Sequence, residues 1–209
     1  MIKNTFLTAT LVAASIGAAS AATVTNGSFE ENTFGGPSFS TLNSVDSTSM
    51  PGWTVSSGSV DLISTYWAAQ DGDFSLDMDG NSMGTIIGSI TDLVVGSAYE
   101  LSFWLSANID GNPGQELKSL DAIVGSTSGS FVYDSTGLTD VGLGWTEFKL
   151  LFTAANTIEV LTFASTTGGA FYGAALDNVS VAAVPLPAGA PLLLAALAGL
   201  GLLRRRRNV

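Results

Sequence analysis

Residues 99–106 read Tyr99-Glu100-Leu101-Ser102-Phe103-Trp104-Leu105-Ser106, and this stretch decides the fold class. Large apolar residues occupy every second position from Tyr99 to Leu105, and the positions between them are polar apart from Trp104. Because successive side chains of a β-strand point to opposite faces, this alternation predicts a strand with one face in the core. Residues 145–152 alternate in the same way and predict a second strand of this kind.

Short segments of this type recur along the chain and are separated by Gly, Asn, Asp and Ser. The predicted strands are residues 23–29, 52–55, 59–63, 75–79, 84–90, 99–107, 122–125, 130–133, 145–153, 157–164 and 174–182. Three longer connections are predicted to be loops, namely residues 33–48, 110–114 and 166–169. The pattern favours an all-β fold, a jelly-roll β-sandwich of two antiparallel sheets.

The first 21 residues predict a signal peptide. Lys3 supplies a positive start, residues 6–19 form a mostly apolar helical stretch, and Ala19-Ser20-Ala21 is a small-x-small cleavage site. We therefore expect export across the inner membrane, with Ala22 as the first residue of the mature protein. An ordinary buried helix over residues 1–21 is the alternative.

The last residues, 184–209, have three parts. Val184, Pro185, Leu186, Pro187 and Ala188 lead into an apolar run that ends at Leu203, and Arg204, Arg205, Arg206 and Arg207 follow it. Twenty helical residues at about 1.5 Å each cross a hydrocarbon layer of about 30 Å, so a transmembrane helix is predicted here. The arginines are expected on the cytoplasmic side.

This tail resembles the VPLPA variety of the PEP-CTERM bacterial sorting signals. The resemblance implies that an exosortase-type membrane protease is a partner of the chain. It also implies a cell-surface or extracellular protein that is anchored in the membrane only transiently. A plain membrane anchor without processing is the alternative.

Residues 22–183, between the two signals, have the size of one domain with one core. They contain two lysines, Lys118 and Lys149, and all eighteen acidic residues, so their formal charge is 2 − 18 = −16. Such a surface repels nucleic acid and attracts cations. We predict no nucleic-acid partner and consider calcium, while solubility alone is the alternative explanation of the acid excess.

The chain contains no cysteine and no histidine. Disulfides, thiolate nucleophiles, Ser-His-Asp triads and the usual zinc sites are therefore excluded. A pair of carboxylates is the catalytic device that is left, and nothing in the sequence marks one of them as a proton donor. We predict that the chain is not an enzyme, with a carboxylate-pair glycosidase as the alternative.

Four blocks of sequence carry a family resemblance: residues 26–30, 52–61, 66–80 and 175–181. In this order and spacing they resemble the bacterial choice-of-anchor C family of exported domains. They are similar, more distantly, to a plant cell-wall family with galactose-binding-like domains and to carbohydrate-binding modules. The resemblance implies a galactose-binding-like jelly roll over nearly all of residues 24–182.

Jelly rolls of this type often hold a structural calcium ion where the first strand meets the last. Carried onto this chain, the resemblance implies Glu30 and Asp177 as carboxylate ligands and Asn26 as a further oxygen ligand. The alternative is that Glu30 and Asp177 only accept backbone hydrogen bonds at strand ends. Asp77 and Asp79 alternate outward on their predicted strand, which favours a solvated face over a second site.

The tryptophans differ in their predicted roles. Trp53 and Trp145 begin strands and are predicted to lie in the core, whereas Trp67 and Trp104 have polar surroundings and are candidates for stacking on a sugar ring. We therefore predict an exported, non-catalytic protein that binds polysaccharide through a calcium-stabilised jelly roll. The alternative is a purely structural envelope or biofilm component without a defined glycan ligand.

Overall fold

The computed structural model describes residues 21–110, 116–139 and 144–185. In these ranges the chain forms twelve β-strands and no helix. The strands are β1 Thr23–Val24, β2 Phe39–Asn43, β3 Thr54–Ser57, β4 Ser59–Ile63, β5 Ser75–Asp77, β6 Thr85–Thr91, β7 Ala98–Ala107, β8 Leu117–Val124, β9 Thr127–Asp134, β10 Thr146–Thr153, β11 Glu159–Ser165 and β12 Ala174–Ala183.

The strands form two sheets. Sheet A has the order β1-β6-β11-β8-β9, with β3 also paired to β6, and sheet B has the order β10-β7-β12-β5-β4-β2. All of these pairings are antiparallel. The neighbours in each sheet are mostly distant in sequence, as in a jelly roll.

The core lies between the two sheets. On β7, Tyr99, Leu101, Phe103 and Leu105 are all buried, as their alternation predicts. The Phe103 ring of sheet B meets the Phe163 ring of sheet A edge to face, with centroids 5.1 Å apart. The predicted all-β jelly-roll sandwich is therefore confirmed.

Two sequence predictions are wrong at the start of the domain. Residues 33–48 are not all loop, because β2 lies within them and pairs with β4. The predicted strand 23–29 ends at Val24, because Asn26 and Phe29 adopt left-handed φ angles of 54° and 59° and the Phe29 N–H closes a turn onto the Asn26 carbonyl. Strand β8 also begins earlier than predicted, at Leu117.

A loop of residues 64–74, here called the β4–β5 loop, lies on the outer face of sheet B. Trp67 in this loop packs on Ile63 of β4 and Ala175 of β12. The backbone N–H groups of Gln70 and Asp71 donate to Asp177 Oδ2 at 2.7 and 3.0 Å. These contacts hold the loop against sheet B, so the loop projects from the outer face of the sheet.

The predicted signal peptide and sorting tail fall almost entirely outside the described residues. Only Ala21 of the first segment and Val184 and Pro185 of the second lie within them. In the part of the chain that the structure describes, no helix is long and apolar enough to cross a membrane.

Candidate functional site

A cleft of about 240 Å³ opens on the outer face of sheet B, near the edge formed by β2 and β4. Its floor comes from strands, and its walls come from the start of β2, from the β4–β5 loop and from the loops after β5, β7 and β11. Floor residues are Thr41, Asp61 and Ile63; wall residues are Phe39, Tyr66, Asn81, Asn108, Asp110, Phe171 and Tyr172.

The floor follows from strand alternation. Val60 and Leu62 of β4 enter the core, so Asp61 and Ile63 point to the opposite face. Thr41 lies directly opposite Asp61 on β2, and its hydroxyl donates to Asp61 Oδ1 at 2.6 Å. Burial raises the pKa of Asp61, and the hydrogen bond from Thr41 opposes that rise.

Two pairs of aromatic rings line the wall. Phe39 and Tyr66 meet edge to face with centroids 5.9 Å apart, and Phe171 and Tyr172 meet at 6.3 Å. Phe39 remains 43% exposed and Phe171 remains 53% exposed. Large apolar rings left open to solvent beside a polar floor are typical of ligand-binding surfaces.

Phe171 is held in an unusual backbone conformation, with a left-handed φ of 71°. Its N–H donates to the Gly80 carbonyl at 2.7 Å, and its carbonyl accepts a bond from Asn108 Nδ2 at 2.8 Å. A bulky residue with positive φ is strained and persists where its surroundings hold it. The two hydrogen bonds therefore fix the position of this ring at the cleft.

Asp77 joins the loops behind the cleft. Its Oδ1 accepts the N–H groups of Asp79 at 2.9 Å and Gly173 at 3.0 Å, and its Oδ2 accepts Asn108 Nδ2 at 2.8 Å. Asn108 in turn accepts the N–H of Asp110 on its Oδ1 at 3.0 Å. One carboxylate thus connects three loops that line the site.

Asp77 and Asp79 do not form the predicted solvated face. Both are fully buried, because the loops after β7 and β11 cover this end of sheet B. Burial raises the pKa of Asp77 to about 8. Alternation correctly predicted that Asp77 points away from the core between the sheets. It could not predict that loops from distant parts of the sequence cover Asp77 on the outer face.

Asp79 and Lys118 lie together in the interior at this end of the sandwich. Neither oxygen of Asp79 has a hydrogen-bond partner of normal geometry. Burial raises the pKa of Asp79, and the Ser165 hydroxyl and the Lys118 ammonium oppose that rise. Lys118 is itself fully buried and donates from Nζ to the Tyr172 carbonyl at 2.7 Å.

At the mouth of the cleft, the Tyr66 hydroxyl donates a short hydrogen bond to Asp110 Oδ2. This bond is the main cause that raises the pKa of Tyr66 to about 12. The pair ties the β4–β5 loop to the segment that follows β7. It presents a phenol ring and a carboxylate at the same point of the wall.

Residues 22–182 match the family model described as "Protein of unknown function (DUF642)". The chain belongs to this family. Halomucin of Haloquadratum walsbyi is 36% identical over 175 residues, which cover 80% of this chain and 2% of halomucin. The chain therefore spans only a small part of that relative.

Solved structures that resemble this DUF642 chain include the CBM22-1 xylan-binding domain from Paenibacillus barcinonensis Xyn10C, with a TM-score of 0.44, 19% identity and coverage of 70% of this chain and 94% of that domain. A family 35 carbohydrate-binding module from Clostridium thermocellum has a TM-score of 0.43, 17% identity and coverage of 58% and 86%. TmCBM61 in complex with β-1,4-galactotriose has a TM-score of 0.44, 14% identity and coverage of 77% and 97%.

The two tryptophans predicted to stack on sugar do not line the cleft. Trp67 is only 6% exposed, donates from Nε1 to Ser75 Oγ at 2.8 Å, and lies against Tyr66 with ring centroids 5.6 Å apart. Its position supports the wall from beneath. Trp104 is half-buried on the outer face of sheet B, opposite Glu147 of β10 and Asp177 of β12.

The other two tryptophans also differ from each other. Trp53 is buried in the core, as predicted. Trp145 is only half-buried, packs on the outer cluster around Trp67, and donates from Nε1 to the Ala68 carbonyl at 3.1 Å. The prediction that Trp145 lies in the core is therefore wrong, because Trp145 packs against the β4–β5 loop on the outer face of sheet B.

The structure brings Glu30 and Asp177, two of the predicted calcium ligands, to the same loop. Glu30 Oε1 accepts the N–H groups of Asp73 and Phe74 at 2.9 and 2.8 Å. Asp177 accepts Gln70 and Asp71 on Oδ2 and Asn178 on Oδ1. Burial raises the pKa of Asp177 to about 7, and these hydrogen bonds oppose the rise.

As arranged, these residues do not fit a calcium shell. Asn26 Oδ1 accepts the Glu31 N–H, and its Nδ2 donates to the Glu31 and Pro51 carbonyls, away from the β4–β5 loop. Within the described ranges, no group of three or more acidic side chains is placed to hold a metal ion. Backbone N–H groups occupy oxygens that a cation would need.

The sequence offered weak signals for the residues that do line the cleft. Phe39 stands in a segment rich in Gly and Ser that was predicted to be loop, and Phe171 and Tyr172 follow the Gly168-Gly169 pair. Adjacent aromatic residues in a polar connection could have marked the site. Nothing local connects them to Asp61 or Asn108.

Proposed function

We propose that this domain binds a glycan, without catalysis, in the cleft on the outer face of sheet B. The observation that carries the proposal is the exposure of two aromatic rings, Phe39 and Phe171, in a cleft whose floor contains Thr41 and Asp61. The apolar face of a pyranose ring stacks on aromatic rings, while carboxylates and amides accept or donate bonds to its hydroxyls. Asp61 and Asp110 provide such acceptors.

Phe171→Gly is the sharpest test of this proposal. Glycine adopts the left-handed φ of this position without strain, so the variant loses the ring while its fold is expected to be kept. Titration calorimetry against the glycans retained on an array is expected to show at least a tenfold loss of affinity. Ile158→Ala, an exposed apolar side chain outside the cleft, is the matched control. No retention of any glycan, or unchanged affinity of Phe171→Gly, would overturn the proposal.

The alternative function of the same cleft is hydrolysis of a glycan by a pair of carboxylates. It predicts turnover of a bound polysaccharide that Asp61→Asn or Asp110→Asn abolishes. Binding without release of reducing ends supports the non-catalytic proposal. Release that either substitution removes would replace it.

We propose further that the chain is exported and sorted at the cell surface through residues 1–21 and 184–209. The support is the arrangement of the two terminal segments, with an exosortase-type protease as the proposed partner. Mass analysis of the mature protein is expected to show an N-terminus at Ala22 and a C-terminus within the tail. Removal of Arg204–Arg207 is expected to trap the precursor, and unaffected processing would contradict this proposal.

The calcium site predicted at Asn26, Glu30 and Asp177 stays a prediction, and it would require these side chains to exchange their backbone N–H partners for the ion. A purely structural role without a glycan ligand is the alternative function. Thermal melting with and without chelator tests the calcium site, because loss of a structural ion lowers the melting temperature. Calcium-dependent self-association in light scattering, together with no glycan affinity, would favour a purely structural envelope component.

A further inference from the structure

The cleft carries negative charge and has no basic side chain among the described residues. Asp61 and Asp110 both line it. Lys118, fully buried, donates to the Tyr172 carbonyl, and Lys149 lies on β10, paired with Glu100 at 2.7 Å and Glu147 at 3.7 Å. An anionic sugar would therefore meet two carboxylates and no cation.

Each of the two carboxylates is anchored through one oxygen. Thr41 donates to Asp61 Oδ1, and Tyr66 donates to Asp110 Oδ2. The remaining oxygens, Asp61 Oδ2 and Asp110 Oδ1, accept no hydrogen bond from the part of the chain that the structure describes. The hydroxyl donors fix the two side chains and leave these oxygens available to a ligand.

A neutral sugar would satisfy the hydrogen bonds of these oxygens but would leave their charge uncompensated. This matters most at Asp61, which is only 8% exposed. A buried carboxylate is costly without a cation, whereas an ammonium group supplies both opposite charge and three donors. Aromatic walls also suit a cation, because the face of an aromatic ring attracts positive charge.

We propose that the glycan bound here is an amino sugar with free amines, whose ammonium groups pair with Asp61 and Asp110 while its ring stacks on the aromatic rings that line the cleft. This inference rests on the proposed glycan-binding function and names its ligand class. N-acetylation removes the charge and is expected to weaken binding. Uronic acid chains are expected to be rejected.

Titration calorimetry with matched oligomers tests the proposal on the full chain. The probes are a β-1,4-linked glucosamine tetramer, its fully N-acetylated counterpart, a neutral β-1,4-linked glucose tetramer and a uronic acid tetramer. We expect the glucosamine tetramer to bind at least tenfold more tightly than the acetylated and neutral ones, and the uronic acid tetramer not to bind. Added salt is expected to reduce that preference.

The acidic surface as a whole attracts cationic oligomers, so a matched charge control is needed. Asp61→Asn and Asp110→Asn are expected to lower the preference for the glucosamine tetramer at least fivefold. Asp134→Asn makes the same charge change on exposed β9 of sheet A and is expected to leave the preference unchanged. An equal loss in all three variants would overturn the proposal in favour of unspecific charge attraction.

The remaining outcomes separate this inference from the proposed function. Equal affinity for the glucosamine, acetylated and neutral tetramers would overturn the amino-sugar class and keep glycan binding. A higher affinity for the uronic acid tetramer than for the other three would also overturn the amino-sugar class and keep glycan binding. No binding of any tetramer, together with no retention on a glycan array, would overturn both.

Discussion

The Asn108 side chain, in the wall of the cleft, donates from Nδ2 at 2.8 Å to Oδ2 of Asp77, and both residues are buried. The same nitrogen donates to the carbonyl of Phe171. Through this pair, the loops after β5, β7 and β11 share one hydrogen-bonded centre. The shape of the cleft is therefore expected to depend on Asp77, which does not line it, through its hydrogen bond with Asn108.

Asn108→Ala tests this dependence. The change leaves an oxygen of Asp77 and the Phe171 carbonyl without their donor, and each lost partner of a buried group costs about 1–3 kcal/mol. Urea denaturation is expected to show a loss of about 2 kcal/mol or more. Asn43→Ala, on an exposed site of β2, is the control and is expected to change stability little. A loss below about 0.5 kcal/mol in Asn108→Ala would contradict the role of this residue.

Stability is expected to fall as the pH rises from about 4 to about 8. The pKa of Asp77 is raised to about 8 and that of Asp177 to about 7, so in this window the folded chain keeps protons that the unfolded chain releases. The free energy of unfolding then decreases by at most about 1.4 kcal/mol per pH unit for each group. The contribution is complete below about pH 4 and is lost once the pH passes the folded pKa values.

Urea denaturation at pH 5 and pH 8 measures this dependence. The protein is expected to be more stable at pH 5, and Asp77→Asn is expected to flatten the slope above pH 7. Asp134→Asn is the comparison variant, because the hydroxyl and the N–H of Thr136 lower the pKa of Asp134 below its ordinary value, so this group stays ionised from pH 5 to pH 8 and the slope is expected to be unchanged. Stability that rises from pH 5 to pH 8 would show that the buried acids are ionised in the folded chain.

The two lysines of the domain are expected to differ strongly in their effect on stability. Lys118→Met removes the cation beside Asp79 and the donor to the Tyr172 carbonyl, and loss of one partner in a buried charged group costs about 3–5 kcal/mol. Lys149→Met removes an exposed ion pair worth about 0–1 kcal/mol. Denaturant melts of both variants check the difference. Equal losses would mean that the Lys118 charge is not needed in the interior.

Gly72 is expected to tolerate no side chain. Its φ is 71°, and a methyl group there would overlap the Glu30 carboxylate that caps the β4–β5 loop. Gly137 has a similar φ of 82° but nothing within 4 Å of such a methyl group. Gly137→Ala is therefore expected to cost only the backbone strain, about 1 kcal/mol, and Gly72→Ala to cost clearly more. Equal melting temperatures for the two variants would contradict the close contact with Glu30.

Strand β7 and the side chains of β10 that face the core could be predicted because alternation is a local property of the sequence. Strand β2 could not, because its Phe-Ser-Thr-Leu-Asn sequence follows a Gly-Gly-Pro segment and becomes a strand through pairing with β4. The sequence left open whether Glu30 and Asp177 bind calcium or only accept backbone hydrogen bonds. Which N–H groups they accept depends on the position of the β4–β5 loop.

The sequence by itself determined the all-β class, the acidic charge of the domain and the absence of histidine and cysteine chemistry, since these follow from composition and from period-two alternation. Only the tertiary structure decided where the cleft lies. Phe39, Asp61, Asn108 and Phe171 belong to separate parts of the chain and meet because β2, β4 and β5 are neighbours at one edge of sheet B. The tertiary structure also decided the burial of Asp77. The loops that cover Asp77 have no sequence pattern that predicts where they pack.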